Sequence, residues 1–259
     1  MEDTRCILSA ENVAKTFKGF RALHDVNLGV RKGSIHGLIG PNGAGKTTLL
    51  NVLTSTLAPT TGRVRFGGVD ITGRTPSQVA QMGLVRSFQI CAVFPHMTVL
   101  QNVRLAIHRR EGDTYAFWAP ASRLRAFDER AMTLLETVGL QDMASRNAAE
   151  LSYGRKRALE FATTLAADPQ VLLLDEPMAG LGIEEIPRLV NLIREFARGR
   201  TIVLVEHHLP VVAELCDQVT VLNRGEVLAE GPYAEVAALD SVRAAYLGKG
   251  RQVTAEAAA

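Results

Sequence analysis

Three stretches of this chain, SIHGLIG, QVLLLDEP and RTIVLVEHH, carry short uninterrupted runs of Val, Ile and Leu. A strand with one face in water alternates apolar and polar residues. These runs do not alternate, which predicts strands buried on both faces, as in a parallel sheet. Helix-compatible segments lie between them: Lys46 to Leu57, the stretch after Ser152 up to the Asp168-Pro169 break, and Glu184 to Arg198. This alternation of strand and helix predicts an α/β core.

Near the N-terminus the pattern changes. ILSAENVAKTF and ALHDVNLGV mix apolar and polar positions in short strand-like runs, and GRVRFGGVDIT sets Gly67-Gly68 between two more, the pattern of a hairpin. Together they predict an antiparallel lobe. From about His96 to Gly139 the strand signal fades into a mainly helical stretch, with RREGDTYAFWAPASRLRAF expected as an irregular insert. This region is read as a helical subdomain inserted into the core, spanning about 89–159. The core and lobe then occupy about 6–88 and 160–248 of a single 1–248 domain. The tail RQVTAEAAA is small and polar and is expected to be disordered. No internal repeat is present.

Composition narrows the classes of partner. With 259 residues and 47% hydrophobic content, the chain can build a sizeable core. Lys plus Arg number 29 against 27 acidic residues, a formal charge of +2. That near-neutral balance lacks the clustered basic face of a nucleic-acid binder, so no nucleic-acid partner is expected. Cys6, Cys91 and Cys216 are odd in number and far apart, which fits neither a metal spacing nor a disulfide framework and suits a reducing compartment. MEDTRCILSA has no apolar stretch of the signal-peptide kind, and no apolar run is long enough to cross a bilayer. A soluble protein is expected, with any membrane role exerted through a partner.

Chemistry concentrates in SIHGLIGPNGAGKTTLL, where Gly40 to Thr47 spell G-x-x-x-x-G-K-T between a strand and a helix. Glycines at 40, 43 and 45 let the backbone turn tightly and aim its N–H groups at phosphate oxygens. Lys46 can reach the β- and γ-phosphates, and the Thr47 hydroxyl can ligate Mg²⁺. A Gly-rich turn that only caps a helix would not need both the spacing and the strand–loop–helix context. QVLLLDEP supplies the complement: Asp175 and Glu176 emerge at the carboxyl end of a buried strand, where α/β folds bind ligands. Asp175 is assigned to Mg²⁺, through water or directly, and Glu176 to the attacking water. No N-K-x-D-type guanine-reading segment is present, which favours ATP over GTP.

A second phosphate grip appears about a hundred residues later, in LSYGRKRALEFA. Ser152 stands where it can cap a helix whose free N–H groups attract anions.

The ordered set of motifs resembles the ATP-binding-cassette proteins over residues 7 to about 248. LSYGR stands at the place of that family's LSGGQ signature, Gln89 in RSFQ at its Q-loop glutamine, and His207 in LVEHH at its switch histidine. Phe17 in AKTFKGF matches the aromatic that stacks on adenine, with Phe20 as a rival. VRSFQ, the LSYG form of the signature, the long insert before it and the ending RAAYLG further resemble the ATPase subunits of branched-chain amino-acid importers.

The resemblance implies a P-loop NTPase (RecA-like) α/β core with an N-terminal antiparallel β subdomain and an inserted α-helical subdomain. It implies an ATPase coupled to transport, with ATP and Mg²⁺ as cofactors. Gly40, Pro41, Asn42, Gly43, Ala44, Gly45, Lys46, Thr47, Thr48 and Phe17 would bind ATP. Thr47, Gln89 and Asp175 would serve the metal, and Glu176, His207 and Gln89 the catalysis. Ser152, Tyr153, Gly154 and Arg155 would grip the γ-phosphate of ATP held by a second cassette, itself or a related subunit, in a head-to-tail dimer. That arrangement gives one chain two phosphate grips because each serves a different nucleotide.

Two integral membrane permeases and a periplasmic or extracellular solute-binding protein complete the implied assembly, which places the chain at the cytoplasmic face of the inner membrane as a peripheral subunit. The loop QICAVFPH would meet a permease helix, with Phe94 either an exposed anchor or a plug in the helical subdomain's own core. Three positions depart from the family pattern: Tyr153 for the first Gly of LSGGQ, Arg155 for the usual Gln, and Gly182 where many cassettes have Asp. Alternative readings are a lipopolysaccharide-type exporter ATPase, a soluble non-transport cassette, and a cassette that binds ATP without turnover. VRSFQ and RAAYLG weigh against the first, the near-neutral single cassette against the second, and intact Lys46, Asp175, Glu176 and His207 against the third.

Overall fold

The apolar runs do form a sheet buried on both faces. The computed structural model describes residues 6–87, 93–110 and 121–247. Strands β3 (Ile35–Ile39), β7 (Val171–Asp175) and β8 (Thr201–Val205) are buried at every position. They pair in parallel, β3 with β8 and β8 with β7. The sheet is extended by β6 (Leu84–Ser87) on one side and by β9 (Gln218–Asn223) and β10 (Glu226–Gly231) on the other, in the order β10-β9-β3-β8-β7-β6. Among the described residues of this sheet, only the β9–β10 hairpin at the edge is antiparallel.

The N-terminal lobe is the expected antiparallel sheet. It contains β1 (Cys6–Phe17), β2 (Phe20–Arg31), β4 (Thr61–Phe66) and β5 (Val69–Asp70), in the order β2-β1-β4-β5, with Gly67-Gly68 turning the β4–β5 hairpin. Its inner residues, among them Leu8, Val13 and Val64, share one core with Leu49 and Leu53 of α1 (Lys46–Leu53) and with Leu173 and Val203 on one face of the parallel sheet. A short helix α2 (Pro76–Gln81), closed by a Thr75–Gln78 capping box, leads into β6.

On the opposite face lie α3 (Val99–Arg110), α4 (Ala121–Thr137), α5 (Tyr153–Ala166) and α6 (Ile186–Phe196). Val99, Val103 and Ile107 on α3 and Phe127, Ala131 and Leu135 on α4 recur every four residues, so each set lines one helix face and is buried. These residues join Leu172 and Leu174 of β7 and Ile202 and Leu204 of β8 in a continuous core. Helices α7 (Leu209–Leu215), α8 (Tyr233–Ala238) and α9 (Asp240–Leu247) cover the β9 end.

Three expectations need correction. The insert expected to be irregular is helical from Ala121 onward. ASRLRAF contains neither glycine nor a β-branched residue, and Phe127 anchors that turn by packing on His108 with ring centroids 4.2 Å apart. The helix begun at Lys46 ends at Leu53 rather than Leu57, where Ser55 takes a left-handed conformation with φ 55°. The Glu184–Arg198 segment is helical over Ile186–Phe196, because Pro187 fits only the first turn. Residues 111–120 of the insert and the 249–259 tail lie outside the described residues.

Candidate active site

The loop between β3 and α1 is shaped by its glycines. Gly40 has φ 149°, and a Cβ there would strike the carbonyl oxygen of Leu222 on β9. Gly45 has φ 105°, and its Cβ would lie 2.9 Å from the Ala22 carbonyl oxygen. A side chain at either position is therefore excluded both by backbone strain and by close packing. Gly225, in the β9–β10 turn, donates its N–H to the Ala44 carbonyl at 2.8 Å and pins the loop from outside.

The first intrahelical bond of α1 runs from the Leu49 N–H to the Gly45 carbonyl, 2.8 Å. The N–H groups of Lys46, Thr47 and Thr48 thus form the open N-terminus of a helix, a ready anion site. Lys46 is nearly buried, and its Nζ donates to the Gly40 and Pro41 carbonyls at 2.7 and 3.1 Å. Burial pulls its pKa below the ordinary lysine value, partly offset by the Glu176 and Asp175 carboxylates.

Asp175 ends β7, so its side chain emerges at the carboxyl edge of the sheet beside the loop. It is buried, with its Oδ2 accepting from Arg86 Nη2 at 2.5 Å. Its Oδ1 is shielded from solvent and has no hydrogen-bond partner among the described residues. A buried carboxylate oxygen left over in this way fits an oxygen-seeking divalent cation. No cluster of three or more His, Cys, Asp or Glu surrounds it among the described residues. That sparseness also fits Mg²⁺, which is usually held by one or two carboxylates, waters and the substrate's phosphates.

Glu176 has φ 49°, a left-handed conformation uncommon for a non-glycine residue, and its N–H continues the β7–β8 ladder to the Val205 carbonyl at 2.8 Å. His207 follows β8 with its ring exposed, and its Nδ1 stands 4.0 Å from Glu176 Oε1. The backbone at His207 is held by a buried acid that the motif pattern did not single out. The Glu206 side chain is fully buried and accepts from the Met178 N–H at 2.9 Å, the His207 N–H at 3.1 Å and the His208 N–H at 3.3 Å. It ties the loop after β7 to the loop after β8. The available signal was an acid directly following an all-apolar strand, whose burial requires donors. Arg86 and Asn51 were passed over as well. An arginine inside the short LVRS strand called for a carboxylate partner.

The signature segment sits apart, at the start of α5. Ser152 occupies the N-cap position, but its side chain makes no capping bond, contrary to the expected cap, and it is exposed. The first intrahelical bond runs from the Lys156 N–H to the Ser152 carbonyl at 2.9 Å, so the N–H groups of Tyr153, Gly154 and Arg155 have no intrahelical acceptor. Tyr153 Oη donates to the Ala179 carbonyl at 3.1 Å, so this departure from LSGGQ ties the signature to the loop after Glu176. Arg155 is exposed, and the Gly182 N–H donates to Glu185 Oε2 at 3.1 Å.

Phe17 and Phe20 close the β1–β2 turn as a facing pair, both exposed, with Lys15 Nζ 5.2 Å from the Phe17 ring centroid. Phe94 is also exposed, at 55%, while its backbone is clamped by Asn102, which accepts the Phe94 N–H at 2.7 Å and donates to its carbonyl at 3.1 Å. Phe94 is therefore not a core plug. Gln89 lies outside the described residues.

A strand–glycine loop–helix with a buried lysine, facing an Asp-Glu pair at the end of β7, one strand removed from β3 across β8, defines a P-loop ATPase. Residues 23–179 match the ABC transporter family, and the chain belongs to that family: it is an ATP-binding cassette whose activity is ATP hydrolysis. It is 37% identical over 253 residues to the high-affinity branched-chain amino acid transport ATP-binding protein BraF of Pseudomonas aeruginosa, covering 95% of this chain and 99% of BraF. The ADP conformation of an ATP-binding cassette of an ABC transporter superposes with a TM-score of 0.81 at 33% identity, over 94% of this chain and 99% of that one. A dimeric cassette bound to ADP and phosphate in a post-hydrolysis state gives a TM-score of 0.75 at 25% identity, over 87% and 98%. No helix among the described residues is long and apolar enough to cross a membrane.

Proposed function

We propose that this chain is the ATP-hydrolysing subunit of an importer for branched-chain amino acids or related small solutes. The observation that carries this reading is the near full-length similarity to BraF, over 95% of this chain. Import implies two permease subunits in the membrane, a solute-binding protein outside it, and this chain on the cytoplasmic face.

In this reading the open N–H groups of Lys46, Thr47 and Thr48 and the Lys46 ammonium bind the phosphates, and Phe17 stacks on adenine. Thr47, Gln89 and Asp175 would hold Mg²⁺, which would supply charge neutralisation at the transferring phosphoryl group. Glu176 accepts a proton from the attacking water, with His207 holding that carboxylate and the water in line. Glu206 fixes the His207 backbone and the Val205 carbonyl holds that of Glu176, so the pair needs little reorganisation when the reaction proceeds.

The exposed Ser152 hydroxyl and the start of α5 reach the γ-phosphate of ATP bound by a second cassette. ATP then joins two subunits and its hydrolysis parts them. Similarity to a dimeric cassette supports this arrangement.

The test is uptake of radiolabelled leucine, isoleucine and valine in cells deleted for this subunit. Wild type restores uptake and Glu176→Gln does not. Unchanged uptake in the deletion strain refutes the solute assignment.

A further inference from the structure

Strand β6 carries a charge that its burial does not favour. The Arg86 side chain is only 12% exposed, and a buried guanidinium costs free energy unless partners satisfy it. Two partners satisfy its terminal nitrogens: Nη1 donates to Asn51 Oδ1 and Nη2 to Asp175 Oδ2, each at 2.5 Å, while the buried Nε has no hydrogen-bond partner among the described residues. Asn51 lies on α1, one turn beyond Thr47 and on the same helix face. Asp175 ends β7, which pairs with β6 in parallel. One planar fork therefore joins the helix that follows the phosphate loop, the strand that leads toward Gln89, and the acidic end of β7.

The division of labour on Asp175 is specific. Its Oδ2 is taken by Arg86, while Oδ1 is buried with no hydrogen-bond partner among the described residues. We propose that Arg86 is a positioning residue for the metal. By engaging Oδ2 it fixes the rotamer of Asp175 and leaves Oδ1 as the single oxygen offered to the divalent cation. The same fork sets the spacing between Asp175 and α1, and hence between the two ligands Asp175 and Thr47. The proposal rests on the metal role given to Asp175 above.

Two opposing effects follow from removing Arg86. Losing a nearby positive charge favours a cation. Losing the orientation of a ligand disfavours it, and partners that orient metal ligands are typically worth about 10–100-fold in metal affinity. Orientation is expected to win because the Asp175 side chain is only 1% exposed, so its rotamer depends on the groups packed against it. A lysine at this position separates the two effects. It keeps the charge, but one ammonium on a flexible stem cannot serve Asn51 and Asp175 as a rigid fork does.

The experiment titrates a fluorescent ATP analogue against the full-length chain, once in EDTA and once in Mg²⁺. It compares wild type, Arg86→Gln, Arg86→Lys and Asp175→Asn, with melting temperatures taken alongside. The expected result is that both Arg86 variants bind the analogue in EDTA within about twofold of wild type. Both should lose about tenfold of the tightening that Mg²⁺ confers.

Arg86→Lys preserves the buried charge balance and gives a folded protein should Arg86→Gln not be stable. Equal weakening with and without Mg²⁺ indicates a merely structural residue and overturns the proposal. So does full Mg²⁺ tightening in both Arg86 variants while Asp175→Asn loses it. Full tightening in Asp175→Asn instead removes Asp175 from the metal site, and the proposal falls with that assignment.

Discussion

His36 is the second residue of β3, at the end away from the phosphate loop, and is only 1% exposed. Its Nε2 sits 2.8 Å from Thr220 Oγ1 on β9, and Thr220 in turn donates to Glu230 on β10 at 3.3 Å. Burial, aided by the Arg31 charge, lowers its pKa from 6.5 to about 4. The neutral form is thus favoured in the fold, and between those two values the unfolded chain binds more protons than the native one. Stability therefore rises with pH across this window. It is nearly complete at pH 7, erodes as the pH falls through 6.5, and the loss levels off below about 4.

Worked from these two values, the cost of the mismatch is about 0.2 kcal/mol at pH 7 and about 2 kcal/mol at pH 5. Against a total stability of about 5–15 kcal/mol, the pH 5 cost is substantial. His36→Gln removes the titration while retaining a group that can hydrogen-bond Thr220. Glu230, whose pKa burial raises, titrates in the opposite sense but is present in both proteins and cancels in the comparison. Urea unfolding at pH 7 and pH 5 should show wild type losing about 2 kcal/mol more than His36→Gln between the two conditions. Equal losses in both proteins would refute the reasoning.

Other expectations concern the nucleotide. Glu176→Gln should retain ATP binding while turnover falls about 10²–10⁴-fold, since the amide accepts no proton; wild-type turnover would remove Glu176 from that role. Lys46→Ala should weaken ATP binding about ten- to a hundredfold, the worth of a charged hydrogen bond to phosphate, as measured by equilibrium titration. Phe94→Ala should leave the melting temperature of the isolated protein within a degree or two, because its ring is already exposed, while uncoupling transport from ATPase in the assembled importer. Mixing Ser152→Ala with Lys46→Ala chains should restore part of the ATPase rate, because one of the two shared sites in a mixed dimer is then complete; background activity at every mixing ratio, with subunit exchange confirmed, counts against action in trans.

Much of this protein was legible because its determinants are local. Gly40, Gly43 and Gly45 shape a turn through their own backbone freedom, Gly67-Gly68 turns a hairpin, and an unbroken VLLL or IVLV run has no face to offer water. Lys46, Asp175 and Glu176 could be placed because they border those local features, at a loop's end and a strand's end. The β9–β10 hairpin and the helix from Ala121 gave weaker local signals, since what holds them is contact with Ala44 and with His108.

Other features depended on pairings that no window of sequence contains. Arg86 finds Asn51 and Asp175 across 35 and 89 residues, and Glu206 collects the Met178 N–H from 28 residues away. Whether Phe94 fills a core or faces solvent was open in the sequence and was decided by Asn102 clamping its backbone. Ser152 carried a capping residue's identity yet makes no capping bond. The chain alone determined which backbone conformations and which buried surfaces were possible. Which polar group meets which was decided only by folding, because the cost of burying a charge or a carbonyl is met by partners that tertiary packing brings together.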